Sequence, residues 1–491
     1  MSEIRTLLNQ SSHYLAGRVL IMAAGFISFP ILTRIFSVSE YGILGLITTT
    51  IFIAEAIAKF GFPNSIVRFY QNLKSQNNLS SFYSTMVLGS AGIAASISIL
   101  FIFVGPFMLK GVIEANNLYL LSFVPILVFI SCTFDIFTSF LRAEQITKLY
   151  NLIIVIYRYG SISLSIFIVI FLIRGLNGFY IGQMISGAMI VIFLIYILGK
   201  KRKISVEGFS KQILGDAIRF GLPLVWAELG HLVLNYADRY LIQLFLGSTS
   251  LGLYTAGYNL ATYVAEVIMY PINYAMTPIY MDVLVNKGEE QTRGFFTKIF
   301  TYFILIISPV VFGFIAVGGD LLSFLASSKY VSAHTILPYI VVGQSIYACS
   351  IILNSGLFIR KKTYLVTMTM VAVCLLKVAI NMVLIPRFGI LGAAQATLVS
   401  YVFYTVIITY FAFREFRFQI NYGRILLYLA AGYAMYLVIN AMDGRSAFNN
   451  LLMKILAGAI IYIVLILVLD KDIRNAIFRS QVWRRKYLKR S

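Results

Sequence analysis

Apolar runs separated by short polar breaks follow one another along almost the whole chain. A helix needs about 20 apolar residues to cross the hydrocarbon core of a bilayer. Fourteen runs are near that length: 14–35, 41–60, 82–104, 117–141, 150–173, 177–198, 217–245, 251–272, 294–317, 334–357, 364–385, 390–412, 425–442 and 449–469. The seventh is long and carries charge. No intervening segment is long enough to hold a soluble domain. The pattern predicts an all-α polytopic membrane protein with about fourteen transmembrane helices.

The runs repeat. Ile53-Ala54-Glu55-Ala56-Ile57 in the second returns as Val264-Ala265-Glu266-Val267-Ile268 in the eighth. Each follows a Gly-aliphatic pair, Gly42-Ile43 or Gly252-Leu253. Leu172-Ile173 to Gly182-Gln183 aligns with Leu384-Ile385 to Ala394-Gln395, and Pro125 with Pro338. Six spans make one repeat, and six is even. The halves therefore share an orientation, related by an axis along the membrane normal. This predicts two six-helix lobes, 1–212 and 213–424, followed by two further spans and a basic tail over 425–491. Two lobes of this kind leave a cavity between them. Chance similarity between apolar spans is the competing explanation.

Composition agrees. The 491 residues are 59% hydrophobic and 12% charged, where a soluble domain is about half apolar and about a quarter charged. Forty Lys+Arg against nineteen Asp+Glu leave a net charge of +21, which in a soluble protein points to nucleic acid. Topology accounts for it here. With the N-terminus in the cytoplasm, cytoplasmic segments hold 26 Lys/Arg and the opposite side five. Cytoplasmic loops collect such residues, so both termini are expected inside, with no nucleic-acid partner. Glu3 and a long first apolar run argue against a cleavable signal. The tail from Asp470 to Ser491 reads as a basic amphipathic segment on anionic lipid or as a solvated positive end. Cys132, Cys349 and Cys374 lie in apolar runs, with neither a disulfide framework nor metal-ligand spacing.

Ionisable residues at bilayer depth usually face a partner or a watery cavity. Arg18, Glu55, Lys59, Asp135, Arg158, Glu228, His231, Asp238, Glu266 and Lys377 lie within predicted spans. Helical phase sorts them. Thr48, Glu55 and Lys59 share a face; so do Ser131, Asp135, Thr138 and Arg142; Glu228, His231, Asn235 and Asp238 make a polar stripe. Glu55 and Lys59 are four apart and suited to neutralise each other. Asp238 and Arg239 read as interfacial anchors. His231 reads as a packed polar residue or a proton carrier. Arg18, Arg158 and Lys377 have no partner within a turn of their own helix. A cationic lumen of Arg18, Lys59, Arg158 and Lys377 is therefore expected, suited to an anionic ligand. Glu55, Asp135, Glu228, His231 and Glu266 are candidates for coupling to H+ or Na+. The chain carries no catalytic, nucleotide or metal motif, so neither an enzyme nor a cofactor is expected. Prolines inside spans, such as Pro30 and Pro223, suit hinges for alternating access.

Three stretches carry a resemblance: Thr33-Arg34-Ile35-Phe36-Ser37-Val38-Ser39-Glu40-Tyr41-Gly42; Asp238-Arg239 through Leu246-Gly247 to Leu251-Gly252-Leu253-Tyr254 and Tyr258; and Asn381 through Ile385-Pro386-Arg387-Phe388-Gly389-Ile390-Leu391-Gly392-Ala393-Ala394. Together they resemble the polysaccharide or O-antigen flippases of the multidrug/oligosaccharidyl-lipid/polysaccharide (MOP) exporter superfamily, over essentially the whole chain. The resemblance implies a flippase that moves undecaprenyl-pyrophosphate-linked oligosaccharide, a unit of O-antigen in lipopolysaccharide or of another surface polysaccharide. It further implies transport from the cytoplasmic to the periplasmic leaflet of a bacterial inner membrane, by a rocker-switch cycle. Polysaccharide assembly proteins are candidate partners. It implies no individual lumen residue. The rival readings are a multidrug cation antiporter, which favours an acidic or aromatic cavity, a lipid II or teichoic acid flippase, and a membrane polysaccharide polymerase, which calls for a long periplasmic loop.

Overall fold

A computed structural model of the chain describes residues 2–76, 78–199, 202, 204–442 and 447–475, and within these the side chains other than 2–16, 18, 267–275 and 447–448. The expected amphipathic tail lies, beyond Asn475, outside the described residues. Those described are almost entirely helical, with no strand among them. The helices are α1 (Ser2–Ile35), α2 (Val38–Lys59), α3 (Phe62–Ser75), α4 (Leu79–Leu109), α5 (Phe123–Ala143), α6 (Thr147–Phe171), α7 (Leu176–Leu194), α8 (Lys211–Leu325), α9 (Leu337–Leu353), α10 (Ser355–Ile359), α11 (Thr363–Glu415), α12 (Tyr422–Asn440) and α13 (Ala447–Leu469). Short 3-10 turns, Ala115–Ser122 and Ser328–Ile336, lead into α5 and α9.

Among the described residues, eleven helical stretches are long and apolar enough to cross a membrane. Two of them are double. Lys211–Glu266 holds predicted spans seven and eight, and Thr363–Glu415 holds eleven and twelve. Each is divided at a glycine with positive φ, Gly247 (78°) and Gly389 (61°). A right-handed helix cannot pass through that conformation, which only glycine adopts freely. The first predicted span falls on α1. All fourteen predicted spans thus lie on helix, and the chain is a multi-pass membrane protein.

The chain divides into two compact units, 1–259 with 367–400, and 260–366 with 401–491. In the first, α2 and α5 are the most enclosed spans, and α4, α6 and the first part of α8 the least. Phe103 and Phe107 of α4 are 74% and 83% exposed, which in a bilayer is contact with lipid. The connection from α1 to α2 is set by a capping box: Ser37 Oγ accepts from the Glu40 amide, and the Ser37 amide donates to Glu40 Oε2 at 2.9 Å. At the same end Ser39 and Ser248 hydroxyls meet at 2.7 Å, and Ser248 donates to Glu114 Oε1 at 2.9 Å. At the opposite end Glu144 Oε1 accepts from Arg202 Nη2 (2.7 Å), Arg202 Nε (2.9 Å) and Tyr83 Oη (2.7 Å). The Arg202 guanidinium lies over the rings of Tyr83 and Phe140. Arg202→Gln is expected to lower stability by about 1.5–3 kcal/mol, the range for hydrogen bonds to charged groups; thermal unfolding in detergent measures it, and a change under half a kcal/mol would mean the latch contributes little.

In the second unit, Ser308 donates to the Tyr428 carbonyl and Tyr462 to the Leu305 carbonyl, both at 2.8 Å. These tie α12 and α13 to the last segment of α8. Asp320 accepts from Asn450 at 2.9 Å and pairs with Lys454 at 3.4 Å. Asp470 ends α13 and accepts from Tyr428 at 2.7 Å and from the amides of Asp472 and Ile473. Burial alone would raise its carboxyl pKa, but these donors and the Arg424 guanidinium outweigh it and hold the group below its ordinary value.

Candidate functional site

One close backbone approach helps assemble the polar interior of the first unit. The left-handed Phe60 and Gly61 end α2 (φ 48° and 73°). A Cβ on Gly61 would lie 2.3–2.5 Å from the backbone of Gly221, so the end of α2 rests directly on α8. Glu228 stands seven residues, or two turns, beyond that contact. It reaches Lys59, the last residue of α2, at 3.1 Å. Lys59 Nζ also lies 3.2 Å from Glu55 Oε1 and 3.2 Å from Asp135 Oδ2 of α5. One ammonium thus sits among three carboxylates.

This cluster forms one wall of a cavity of about 620 Å³. Arg142 of α5 and Arg158 of α6 line it as well. Arg142 donates to Ser139 at 2.9 Å and lies over the Tyr150 ring. Arg158 is exposed and makes no hydrogen bond or salt bridge among the described residues. Thr48, Ser131 and Gln183 add neutral donors and acceptors. Formal charge in the cavity balances, three cations against three carboxylates, so the wall is not uniformly cationic. The expected i,i+4 pairing of Glu55 with Lys59 is present; Asp135 and Glu228 join it from helices remote in sequence.

Lys377 corrects the expectation of an open position. Lys377 and Asp238 side chains are 1% and 0% exposed and pair at 3.0 Å. Lys377 also donates to the Leu234 carbonyl at 2.5 Å, while Asp238 Oδ2 accepts from Tyr254 (2.6 Å) and Thr397 (3.3 Å). The ammonium is closed off because its carboxylate comes from a helix 139 residues earlier, where helical phase within one span cannot find it. Asp238 and Arg239 are corrected too: they are not interfacial anchors. Arg239 is buried, donating to the Gly45 carbonyl, Thr49 and Asn259 and lying over the Tyr236 ring. Asp238, Arg239 and Tyr254, with Lys377 and Thr397, are buried polar residues bonded to their neighbours.

The other expected residues are dispersed. His231 is exposed on α8, where Asn235 donates to its backbone carbonyl at 2.7 Å. Glu266 is half-buried in the second unit. Arg18 lies on α1 and its side chain is outside the described residues. Arg142 is the cavity residue missed by residue-by-residue reading; its place on the Asp135 face was the available signal.

The fold defines the class. The chain superposes on a lipid II flippase, MurJ, in an inward closed conformation with a TM-score of 0.75 at 14% identity, covering 95% of this chain and 99% of that one. It also superposes on an inward-facing multidrug resistance MATE family transporter of the MOP superfamily, with a TM-score of 0.64 at 16% identity over 83% and 94% of the two chains. At these identities the likeness is one of fold. The family follows from the sequence: the model of the polysaccharide biosynthesis protein family matches residues 7–283, and the chain belongs to that family. Similar proteins include a probable low-salt glycan biosynthesis flippase, Agl15, of Haloferax volcanii (20% identical over 52% of this chain and 55% of that one). Another is a succinoglycan biosynthesis transport protein, ExoT, of Rhizobium meliloti (22% over 65% and 63%). The chain spans about 55–63% of the length of these relatives in the matched regions.

Proposed function

We propose that this protein is a flippase that moves a lipid-linked oligosaccharide, with an undecaprenyl pyrophosphate carrier, from the cytoplasmic to the periplasmic leaflet of a bacterial inner membrane. The observation that carries the reading is the placing of Arg142 and Arg158 in one membrane-embedded cavity beyond the Lys59 cluster. Guanidinium groups match phosphate oxygens bidentately, and the surrounding hydroxyl and amide groups suit sugar. In this reading the two six-span lobes, 1–212 and 213–424, alternate access around the site, both termini lie in the cytoplasm, and polysaccharide assembly proteins act alongside. Arg18 of α1 stays a candidate for the same role on its sequence position alone. Lys377 acts through Asp238 on the packing of the spans and not on the phosphate.

The carboxylates Glu55, Asp135 and Glu228 are the coupling groups. Three negative charges facing one ammonium leave room for a proton or Na+, and phosphate entry changes that balance. His231 and Glu266 are further coupling candidates outside the cavity wall. The names of Agl15 and ExoT support glycan transport; that of MurJ keeps lipid II, and with it teichoic acid precursors, as alternative cargo within the same chemistry.

Reconstitution into vesicles with a fluorescent lipid-linked oligosaccharide tests the reading. Arg158→Gln is expected to slow transbilayer movement at least tenfold while the folded yield is unchanged, and Lys59→Gln to do the same with a changed pH profile. Unaltered transport in both variants overturns the phosphate assignment. The second reading, cation export, is favoured by the three-carboxylate wall alone; it predicts efflux of a cationic dye that Asp135→Asn abolishes and no movement of the lipid-linked sugar.

A further inference from the structure

The second unit holds a cavity of about 800 Å³ that the transport reading does not use. It lies where α8 passes Arg293 and Thr297 and the link 416–421 joins α11 to α12. The link is extended, so its side chains alternate. Phe416 and Phe418 are buried at 1% and 4% and pack on Phe296, with ring centroids at 6.0 and 5.6 Å. Arg417, between them, is turned outward to the cavity and makes no ion pair among the described residues. Arg293 stands one turn before Phe296, with its guanidinium 5.2 Å from the centre of the Phe416 ring. Its nearest carboxylate oxygen, on Glu289, is 3.6 Å away. A single aromatic cluster therefore positions two guanidiniums on one mouth.

The mouth opens at the end of the bundle where Arg360 pairs with Glu289 and Lys362 with Glu415, both at 2.7 Å, the end that also carries Lys361, Arg414 and Arg424. From it, Tyr422 and Leu426 of α12, 73% and 70% exposed, run away one turn apart as an apolar strip. A basic head site continuous with an apolar strip fits an amphiphile at the membrane interface. One carboxylate, Glu290, shares the rim. It accepts from hydroxyl groups and repels a second negative charge, which favours a phosphodiester with a hydroxylated headgroup over a pyrophosphate. We propose that this cavity is a binding site for an anionic glycerophospholipid of the phosphatidylglycerol type: its phosphodiester between Arg293 and Arg417, its glycerol hydroxyls toward Glu290, and an acyl chain along Tyr422 and Leu426.

Native mass spectrometry of the full chain in detergent tests this, with added phosphatidylglycerol, phosphatidylethanolamine or undecaprenyl pyrophosphate. The wild type is expected to hold phosphatidylglycerol at least tenfold more tightly than phosphatidylethanolamine. The R293Q/R417Q variant loses that preference. K361Q/R414Q, with the same charge loss at the same end of the bundle, keeps it. Arg417→Gln alone touches none of the aromatic cluster and gives a several-fold loss in a folded protein. Equal losses in both double variants would reduce the effect to diffuse attraction and overturn the site. Displacement of phosphatidylglycerol by undecaprenyl pyrophosphate at equal concentration would assign the cavity to the carrier lipid and overturn the phospholipid assignment. Either result leaves the Arg158 experiment standing by itself.

Discussion

Lys377→Met is expected to destabilise the folded protein by about 3–5 kcal/mol, the penalty of leaving one member of a buried ion pair alone. Neither side chain reaches solvent, at 1% and 0% exposure. Asp238 Oδ2 would keep Tyr254 and Thr397 as donors but lose its counter-charge, and Oδ1 already has no partner. The Leu234 carbonyl would lose its donor as well. Asp238→Asn is expected to be similarly harmful, because it strands the ammonium. Removing both charges in Lys377→Met/Asp238→Asn should return a large part of the loss, since a buried pair replaced as a whole is often tolerated. A double-mutant cycle by thermal or denaturant unfolding in detergent measures the coupling. A Lys377→Met loss below about 1 kcal/mol would show that the pair is dispensable. The same cycle followed by vesicle transport separates packing from binding: the double variant should move cargo if Lys377 is structural, and fail if the ammonium itself meets phosphate.

The second large effect is expected at a helix crossing in the first unit. Gly42 and Gly252, which open similar sequence stretches, pack against each other there. A Cβ on Gly252 would stand 1.8 Å from the Val38 carbonyl oxygen, and one on Gly42 2.2 Å from the Ser248 carbonyl oxygen and 2.7 Å from the Gly252 nitrogen. These neighbours are backbone and cannot rotate aside. Small residues at span crossings allow such approach. Gly252→Ala is expected to cost about 3 kcal/mol or more, the upper range for overpacking, and to lower the yield of folded protein. Gly92→Ala is the control: nothing lies within 4 Å of its Cβ, and replacing a helical glycine there should stabilise by about 0.5–1 kcal/mol. Opposite signs in the two variants test the crossing. Equal small effects would mean the two helices separate easily.

Several features of the fold were legible because each acts within one segment. Ser37 and Glu40 sit at capping-box spacing and cap α2. Gly247 and Gly389 end spans where the polar breaks place turns. The repeat pointed to Gly42 and Gly252 without showing that they touch. In the site, Lys59 with Glu55 was legible at one turn's spacing, as was the shared face of Asp135 and Arg142. Glu228 on Lys59, Asp238 on Lys377 and Glu144 on Arg202 were not. Each pair joins segments remote in sequence.

The sequence alone determined which segments cross the membrane, where they end and which side of each helix is polar. Those properties follow from the transfer of each segment between water and lipid and from the helical period, and need no neighbour. Tertiary structure alone decided which charges meet. Helical phase says that a lysine points inward but not what stands opposite; that depends on how closely backbones approach, through contacts such as Gly61 on Gly221. Lys59 and Lys377 both lie in apolar spans, yet one lines a polar cavity among three carboxylates and the other is sealed against one.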